Sequence, residues 1–553
     1  MSHTSLSCRS RRRRNSIMKL FSTTLKVSCL SCRRRYIFIA LVIVSALLSL
    51  MRFDSFQVGA YTDDAYYIVL AEALANGHGY RLVNFPDAPV EWTFPPGWPL
   101  LLVPLTIVFP GNYVALKGLS FVLWIGALIL IYKLFSTRIN SPYLELLMAL
   151  IAVNPDLVGA SAQVMSETAY LFFSFLALNL LDLWHSSNAQ KLKVSRDLVL
   201  CVAAVMVVFV QSIRTIGFSL TAGVFLYFLV SRRYREALTI VLVAVLGLVP
   251  QLILYMQRGV FFVSPGYEAQ VLSGGLGVKL LHMLVNLHAY VTGIVAHTLV
   301  PILGPNIVAA FDRLGLGTAP SFINLLVMLL IVFGFAVKLR TPQFIEWYIV
   351  LYVLGILAFW NPLVGSAQAR FLIPVIPFLY YYGMQGFISV GQALAVRLGI
   401  QKCKLRCARV KWIALVCVCV IFLILVARNV QDVLQPIRMR MTDLVVGNEW
   451  IYEHAPPDAI IMTRDPVPDY LYSRRKTVAY PKSGQRIDEY VAATGVDYIV
   501  IKPKLQIPRT DELDDFTKNE LLPAIVGRAD RYDLVYSDTT HNVMVYQVRS
   551  FQQ

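Results

Sequence analysis

Thr62-Asp63-Asp64-Ala65-Tyr66-Tyr67-Ile68-Val69-Leu70-Ala71-Glu72-Ala73-Leu74-Ala75-Asn76-Gly77-His78-Gly79-Tyr80 is the most informative stretch of this 553-residue chain. Thr62 is placed to cap a helix and Asn76-Gly77 to stop it, so 63–75 is expected to be one short helix. At helical spacing Asp63, Tyr67, Leu70 and Leu74 share a face, and the helix is expected to lie along a membrane surface. Two carboxylates in a first turn offset the positive end of the helix dipole, which is the plain structural reading of Asp63 and Asp64.

The stretch lies in a polar loop, from Arg52 to about Trp98, set between long apolar runs. Downstream the loop closes with Trp92-Thr93-Phe94-Pro95-Pro96-Gly97-Trp98-Pro99-Leu100-Leu101-Leu102, a rigid turn feeding a membrane segment. Over the whole chain 57% of residues are hydrophobic and 15% charged, with mean hydropathy +0.60. Soluble domains carry about 25% charged residues, so a water-soluble protein, a charged disordered chain and a disulfide-stapled scaffold are excluded. A polytopic α-helical membrane protein remains. Eleven spans are expected, at 36–51, 112–134, 142–159, 168–184, 197–212, 216–230, 236–256, 321–338, 344–361, 371–390 and 412–428, some of them shorter than the roughly 20 residues that cross a bilayer.

The net charge of +17 has a topological reading. Residues 1–35 hold eight Arg and two Lys without an acid, and further basic groups flank alternate spans: Lys133 and Arg138, Lys191 to Arg196, Arg232 to Arg235, Lys338 and Arg340, and the cluster from Arg397 to Lys411. This is the positive-inside pattern, and nucleic-acid binding is not expected. The segment 284–303, interrupted by His288, His297 and Pro301, is expected to form re-entrant or interfacial helices in an external region 257–320. The three expected parts are a basic cytoplasmic segment 1–35, a transmembrane module 36–428 carrying the external loop 52–98, and an extracytoplasmic tail 429–553. In that tail Ala459–Met462, Tyr498–Ile501 and Val543–Val548 are expected strands and Ile487–Thr494 a helix, giving a small α/β domain. Its Asp and Arg residues read as a solvated surface. Cys29-x-x-Cys32 and Cys403-x-x-x-Cys407 read as membrane-proximal thiols rather than a zinc site.

The ordered set Asp-acidic-x-x-Tyr, Gly-x-Gly-Tyr and Pro-Pro-Gly-x-Pro-Leu-Leu resembles the membrane glycosyltransferases of the C-type (GT-C) fold, with 11 to 13 spans. In particular it is similar to the bacterial branch that includes the lipid A aminoarabinose transferases and related protein O-mannosyltransferases. The resemblance implies an acidic catalytic residue in the first external loop, here Asp63 with Asp64 as its neighbour, and a polyprenyl-phosphate-linked sugar donor. Glu167, in Ser166-Glu167, resembles the family's second acidic position. Arg370, in Gln368-Ala369-Arg370-Phe371-Leu372-Ile373-Pro374, resembles its Arg-Tyr/Phe-x-x-Pro element. Arg214 sits between two spans at the same level. Charges at the membrane edge are costly and usually functional; the plain reading of Glu167 and Arg214 is a structural ion pair.

The function implied is a hexosyl- or pentosyltransferase. It would move one sugar from a polyprenyl-phosphate carrier, with inversion, to a lipid, glycan or protein acceptor outside the cytoplasm of a bacterial plasma membrane. Asp63 is the expected base, with Arg370 and Arg214 on the phosphate. Tyr67 and His78 are candidates for lining the sugar pocket, against a packing tyrosine and a solvated loop histidine. A divalent metal between Asp64 and Glu167 is an option that no ligand cluster demands. The contrasting reading is a transporter or flippase of a lipid-linked glycan, which would more often show an internal repeat and matching broken helices; neither is evident.

Overall fold

The computed structural model describes residues 34–91, 93–186, 195–258, 275–301, 319–360, 369–397, 404–436, 443–503 and 512–549. The basic segment 1–33, both halves of Cys29-x-x-Cys32, Lys191, Lys193, Cys403 and part of the 397–411 cluster lie outside them. Every expected span is occupied by a helix. Among the described residues six helices are long and apolar enough to cross a membrane: Arg34–Ser55, Tyr113–Ser136, Arg196–Ile213, Leu276–Leu299, Ala369–Leu394 and Leu415–Leu434. Tyr143–Ala152 and Pro155–Ser161 make a seventh if they count as one span bent by 54°.

Leu276–Leu299 differs from its expectation. The sequence places re-entrant or interfacial helices at 284–303, interrupted by His288, His297 and Pro301, because a crossing there would move the downstream basic loops to the outer side; Leu276–Leu299 is instead long and apolar enough to cross. In the structure the helix begins at Leu276, and a π-turn at Tyr290–Ile294 absorbs the irregularity without ending it.

Helix Asp63–Ala75 forms where expected, with Asn76 ending it through a side-chain bond to the Glu72 carbonyl (2.9 Å) and Gly77 at φ 75° beyond. Its start is different. Thr62 has φ 64° and makes no side-chain cap. The helix also does not lie on a surface: Asp64, Ala65 and everything from Tyr67 to Ala73 are buried. Its sequence is apolar on nearly every side, the pattern of an enclosed helix. Helix Gly97–Val108 packs against it from one side and the C-terminal Pro466–Ser473 from another.

One continuous core runs through the membrane helices, with Phe135 stacked on Tyr381 (centroids 4.8 Å) and Phe175 on Phe378 (4.9 Å). The C-terminal residues form a five-stranded sheet ordered β2-β1-β3-β5-β4, from β1 Ile460–Thr463, β2 Lys476–Ala479, β3 Tyr498–Ile501, β4 Tyr532–Asp538 and β5 Val543–Val548. β1 runs parallel to β2 and β3, while β5 is antiparallel to β3 and β4. Central β3 is buried at all four residues. Several charges expected on a solvated surface are instead buried here. Lys502 Nζ lies 2.5 Å from Asp469 Oδ1 and 3.4 Å from Asp465, and Asp469 also accepts from Thr463 Oγ1.

Helices Ala319–Lys338 and Ile376–Arg397 touch backbone to backbone at Gly334 and Gly386, where an added Cβ would overlap the carbonyl oxygen of Tyr382 or Leu330. Membrane helices associate through such small-residue contacts because no hydrophobic drive separates them from lipid. Gly386→Ala should force the pair apart at a cost of about 1–3 kcal/mol, seen as a lowered thermal midpoint in detergent. An unchanged midpoint would show that the contact is dispensable.

Candidate functional site

Four of the seven sequence candidates converge as alternating charges. Glu167 opens helix Ser166–His185 with its side chain 2% exposed. Arg214 Nη1 lies 2.6 Å from its Oε1, and Arg370 Nε lies 3.8 Å from the same atom. Arg370 Nη2 reaches on to Asp63 Oδ2 at 2.5 Å. The series Arg214, Glu167, Arg370, Asp63 is therefore neutral in sum. Arg370 Nε and both Glu167 oxygens make no aligned hydrogen bond among the described residues, so hydrogen-bonding capacity remains at the centre of the series.

Local sequence sets each member. Arg214 has an extended backbone (φ −146°, ψ 136°) that interrupts the helix between Ile213 and Thr215 and swings its side chain off the axis. The Gly217 N–H returns to the Arg214 carbonyl at 2.8 Å, and a Cβ on Gly217 would meet the Gln211 backbone at 2.6 Å. Arg370 starts the tight 3-10 turn Ala369–Val375, with Pro374 inside it. The Pro-Pro-Gly-Trp turn is a support. Gly97 lies so close to Ser212 that a Cβ would come within 2.6 Å of its carbonyl oxygen, and the Trp98 indole donates to the Val164 carbonyl (3.2 Å), two residues before Ser166.

Tyr67 joins the group through Ser166: its hydroxyl is 3.1 Å from Ser166 Oγ, which accepts from Arg214 Nη1 at 3.0 Å. Its ring meets Phe94 edge-on at 5.1 Å. Ser166 was not singled out as a site residue, although it stands beside Glu167 in the sequence.

Asp64 and His78 are not brought to the cluster. Asp64 is 3% exposed and turns back to the preceding loop, accepting from the Gly59 N–H (2.7 Å) and the Ala65 N–H (3.1 Å). His78 is exposed beyond the other end of a 13-residue helix, about 20 Å along its axis from Asp63. A metal shared by Asp64 and Glu167 does not fit. The first carboxylate is spent on backbone amides, and the second lies between two guanidinium groups that would repel a cation. Among the described residues no group of three or more His, Cys, Asp or Glu is arranged for a metal.

Beyond Arg370 and Glu167 lies a cavity of about 300 Å³, also lined by Arg52, Asp156, Arg428 and Asp432. Arg52, 5% exposed, ion-pairs with Asp432 (2.9 Å) and donates to the Pro155 carbonyl (2.7 Å) and Asn429 (3.2 Å). Arg52 and Arg428 mark the ends of the first and last apolar runs, where a sequence reading sees only flanking charge.

The fold is that of the GT-C membrane glycosyltransferases. ArnT from Cupriavidus metallidurans in the apo state superposes with TM-score 0.57 and 13% identity, covering 93% of this chain and 98% of that one. The same protein bound to undecaprenyl phosphate gives 0.51 and 14%, covering 92% and 97%. The archaeal oligosaccharyltransferase AglB from Archaeoglobus fulgidus, in complex with an inhibitory peptide and a dolichol-phosphate, gives 0.54 and 13%, covering 94% and 75%. No family model and no curated protein matches the sequence.

Burial pushes the Asp64 carboxyl up to about 7 from an ordinary 3.8; the Gly59 amide opposes the shift, and the charge of Asp63 adds to it. A folded-state value above the unfolded one means the folded chain holds this proton more tightly. The contribution is therefore fully present below pH 3.8 and is lost as pH rises to about 7. The wild type should lose stability across that window relative to Asp64→Asn, read from thermal midpoints of both in detergent. Parallel curves would contradict the assignment.

Proposed function

We propose that this protein is an integral-membrane glycosyltransferase that moves one sugar from a polyprenyl-phosphate carrier to an acceptor on the extracytoplasmic side. The observation that carries the reading is the double engagement of Arg370. One edge of its guanidinium holds Asp63, and the same side chain walls the cavity that Arg52 and Arg428 also line. A donor phosphate in that cavity and an acceptor at Asp63 would meet across Arg370. The solved structures of similar fold include ArnT bound to undecaprenyl phosphate and AglB with a dolichol-phosphate, which supports a lipid-phosphate donor here.

The chemistry follows from the residue types. A guanidinium binds phosphate oxygens through a fixed fork of donors. A phosphate arriving at Arg370 competes for it with Asp63 and releases that carboxylate. Asp63, 25% exposed, then takes the proton of the acceptor hydroxyl or amine. The acceptor atom attacks the anomeric carbon from the face opposite the phosphate. The new bond forms as the carbon–oxygen bond to phosphate breaks, its electron pair leaves on the polyprenyl phosphate, and the configuration inverts. Glu167, held by Arg214, fixes the orientation of Arg370, and Tyr67 holds Ser166 beside that pair. In this reading the loop 52–98 and the sheet of 429–553 lie outside the cytoplasm, and the membrane is a bacterial plasma membrane.

Proteoliposomes supplied with short-chain polyprenyl-phosphate sugars and a mixture of lipid, glycan and protein acceptors test this. Asp63→Asn, which keeps size and removes the base, should lower transfer by about 10²–10⁴. Arg370→Lys should weaken both donor affinity and turnover, because a point charge replaces a fork. Equal transfer by wild type and Asp63→Asn would remove Asp63 from the role of base. Movement of the carrier lipid across the bilayer without any transfer would replace the enzyme with a transporter.

A further inference from the structure

Helix Pro466–Ser473 ends in Arg474, whose φ of 51° is left-handed. Its N–H returns to the Tyr470 carbonyl at 2.9 Å, so Arg474 fills the helix-ending position where glycine is the usual occupant. A side chain is strained there and persists where surrounding contacts hold it in place.

Those contacts reach the helix that carries Asp63. Arg474 Nη1 lies 2.9 and 3.1 Å from the two oxygens of Glu72, in the last turns of helix 63–75. Nη2 donates to the Tyr113 hydroxyl (2.9 Å), which itself donates to the Leu471 carbonyl (2.7 Å). The Glu72 side chain is 11% exposed and that of Arg474 29%, so the pair is partly shielded from water and salt.

The same C-terminal helix also grips the other end. Tyr472 donates to the Val58 carbonyl at 2.6 Å, and Pro468 packs against Gly59 (φ 90°), whose N–H holds Asp64. Strand β2 adds a third hold: the Thr477 N–H donates to the Asn84 carbonyl (2.7 Å) and Asn84 Nδ2 to Thr477 Oγ1 (3.2 Å). Helix 63–75 is thus fixed at both ends by residues 468–474, some 400 positions later in the chain.

We propose that the C-terminal sheet region is a positioning clamp for the transfer site, with Arg474 as its positioning residue: through Glu72 it sets the axial placement of helix 63–75, and hence of Asp63 against Arg370. The proposal rests on Asp63 being the base. A displacement of about 1 Å in a reacting group can lower turnover about 100-fold, and a helix passes such a shift from one end to the other with little loss.

Arg474→Gly is the test, because glycine suits the left-handed backbone and only the side chain is lost. In the full-length protein in proteoliposomes, turnover should fall tenfold or more while the donor KM stays within twofold, since the phosphate partners are untouched. Adding Glu72→Gln should lower turnover no further, because both changes break one contact. Hydrogen exchange gives a readout independent of activity. Amides of 64–75 should exchange at least tenfold faster in Arg474→Gly, with those of β3 and β5 unchanged. Wild-type turnover in the folded variant would overturn the clamp, as would lost turnover with unchanged exchange over 64–75, or faster exchange that spreads to β3 and β5. If the wild type transfers no sugar, the proposed function fails, and the exchange comparison still decides whether Arg474 holds the helix.

Discussion

A carboxylate buried at the edge of an apolar helix bundle must find positive charge or lose its own. Glu167 is in that position, and the organisation around it answers to it. Arg214 approaches to 2.6 Å, Arg370 to 3.8 Å, and the second arginine is balanced in turn by Asp63. Each cation has to leave a regular helix to arrive, one by an extended residue between two helical segments and the other by a 3-10 turn. The close approaches at Gly97 and Gly217 and the buried indole of Trp98 make these departures sterically feasible. Several backbone irregularities thereby trace to one electrostatic constraint.

The fold was largely legible because its signals are local. Runs of apolar residues mark helices, and β3 and β5 coincide with the expected strands because their apolar residues are consecutive or alternate cleanly. β2 and β4 were missed: Lys476–Ala479 and Tyr532–Asp538 are edge strands whose polar residues resemble loop. Of the site candidates, Asp63, Tyr67, Glu167, Arg214 and Arg370 meet directly or through Ser166. Asp64 does not, because its direction depends on a turn at 58–62 that folds the Gly59 amide back over it, and no pattern in the sequence encodes that turn. Arg474 was read as surface charge for a related reason. Its partner Glu72 is remote in sequence, and composition says nothing about which of many charges in a soluble-looking tail will be covered.

Arg370 holds the arrangement together by facing two ways. Toward Asp63 it is an ion-pair partner, and toward the cavity it is one of three arginines interleaved with carboxylates. A site built this way is close to neutral at rest, which limits the cost of holding charge near a membrane. On the proposed function, the singly charged phosphodiester of a donor can be accommodated by trading partners within the existing set.

The distribution of these partners along the chain has a consequence for biosynthesis. Glu167 and Arg214 are neighbours enough to pair soon after both emerge. Asp63 waits until about two thirds of the chain has been made before Arg370 exists, and Glu72 waits for Arg474 later still. For most of its synthesis the loop 52–98 therefore carries acids without their final counterions, and the membrane helices are assembled around an unfinished centre. Electrostatic closure of the centre comes late, and helix 63–75 is seated by a segment, 466–477, that is made only after every membrane helix.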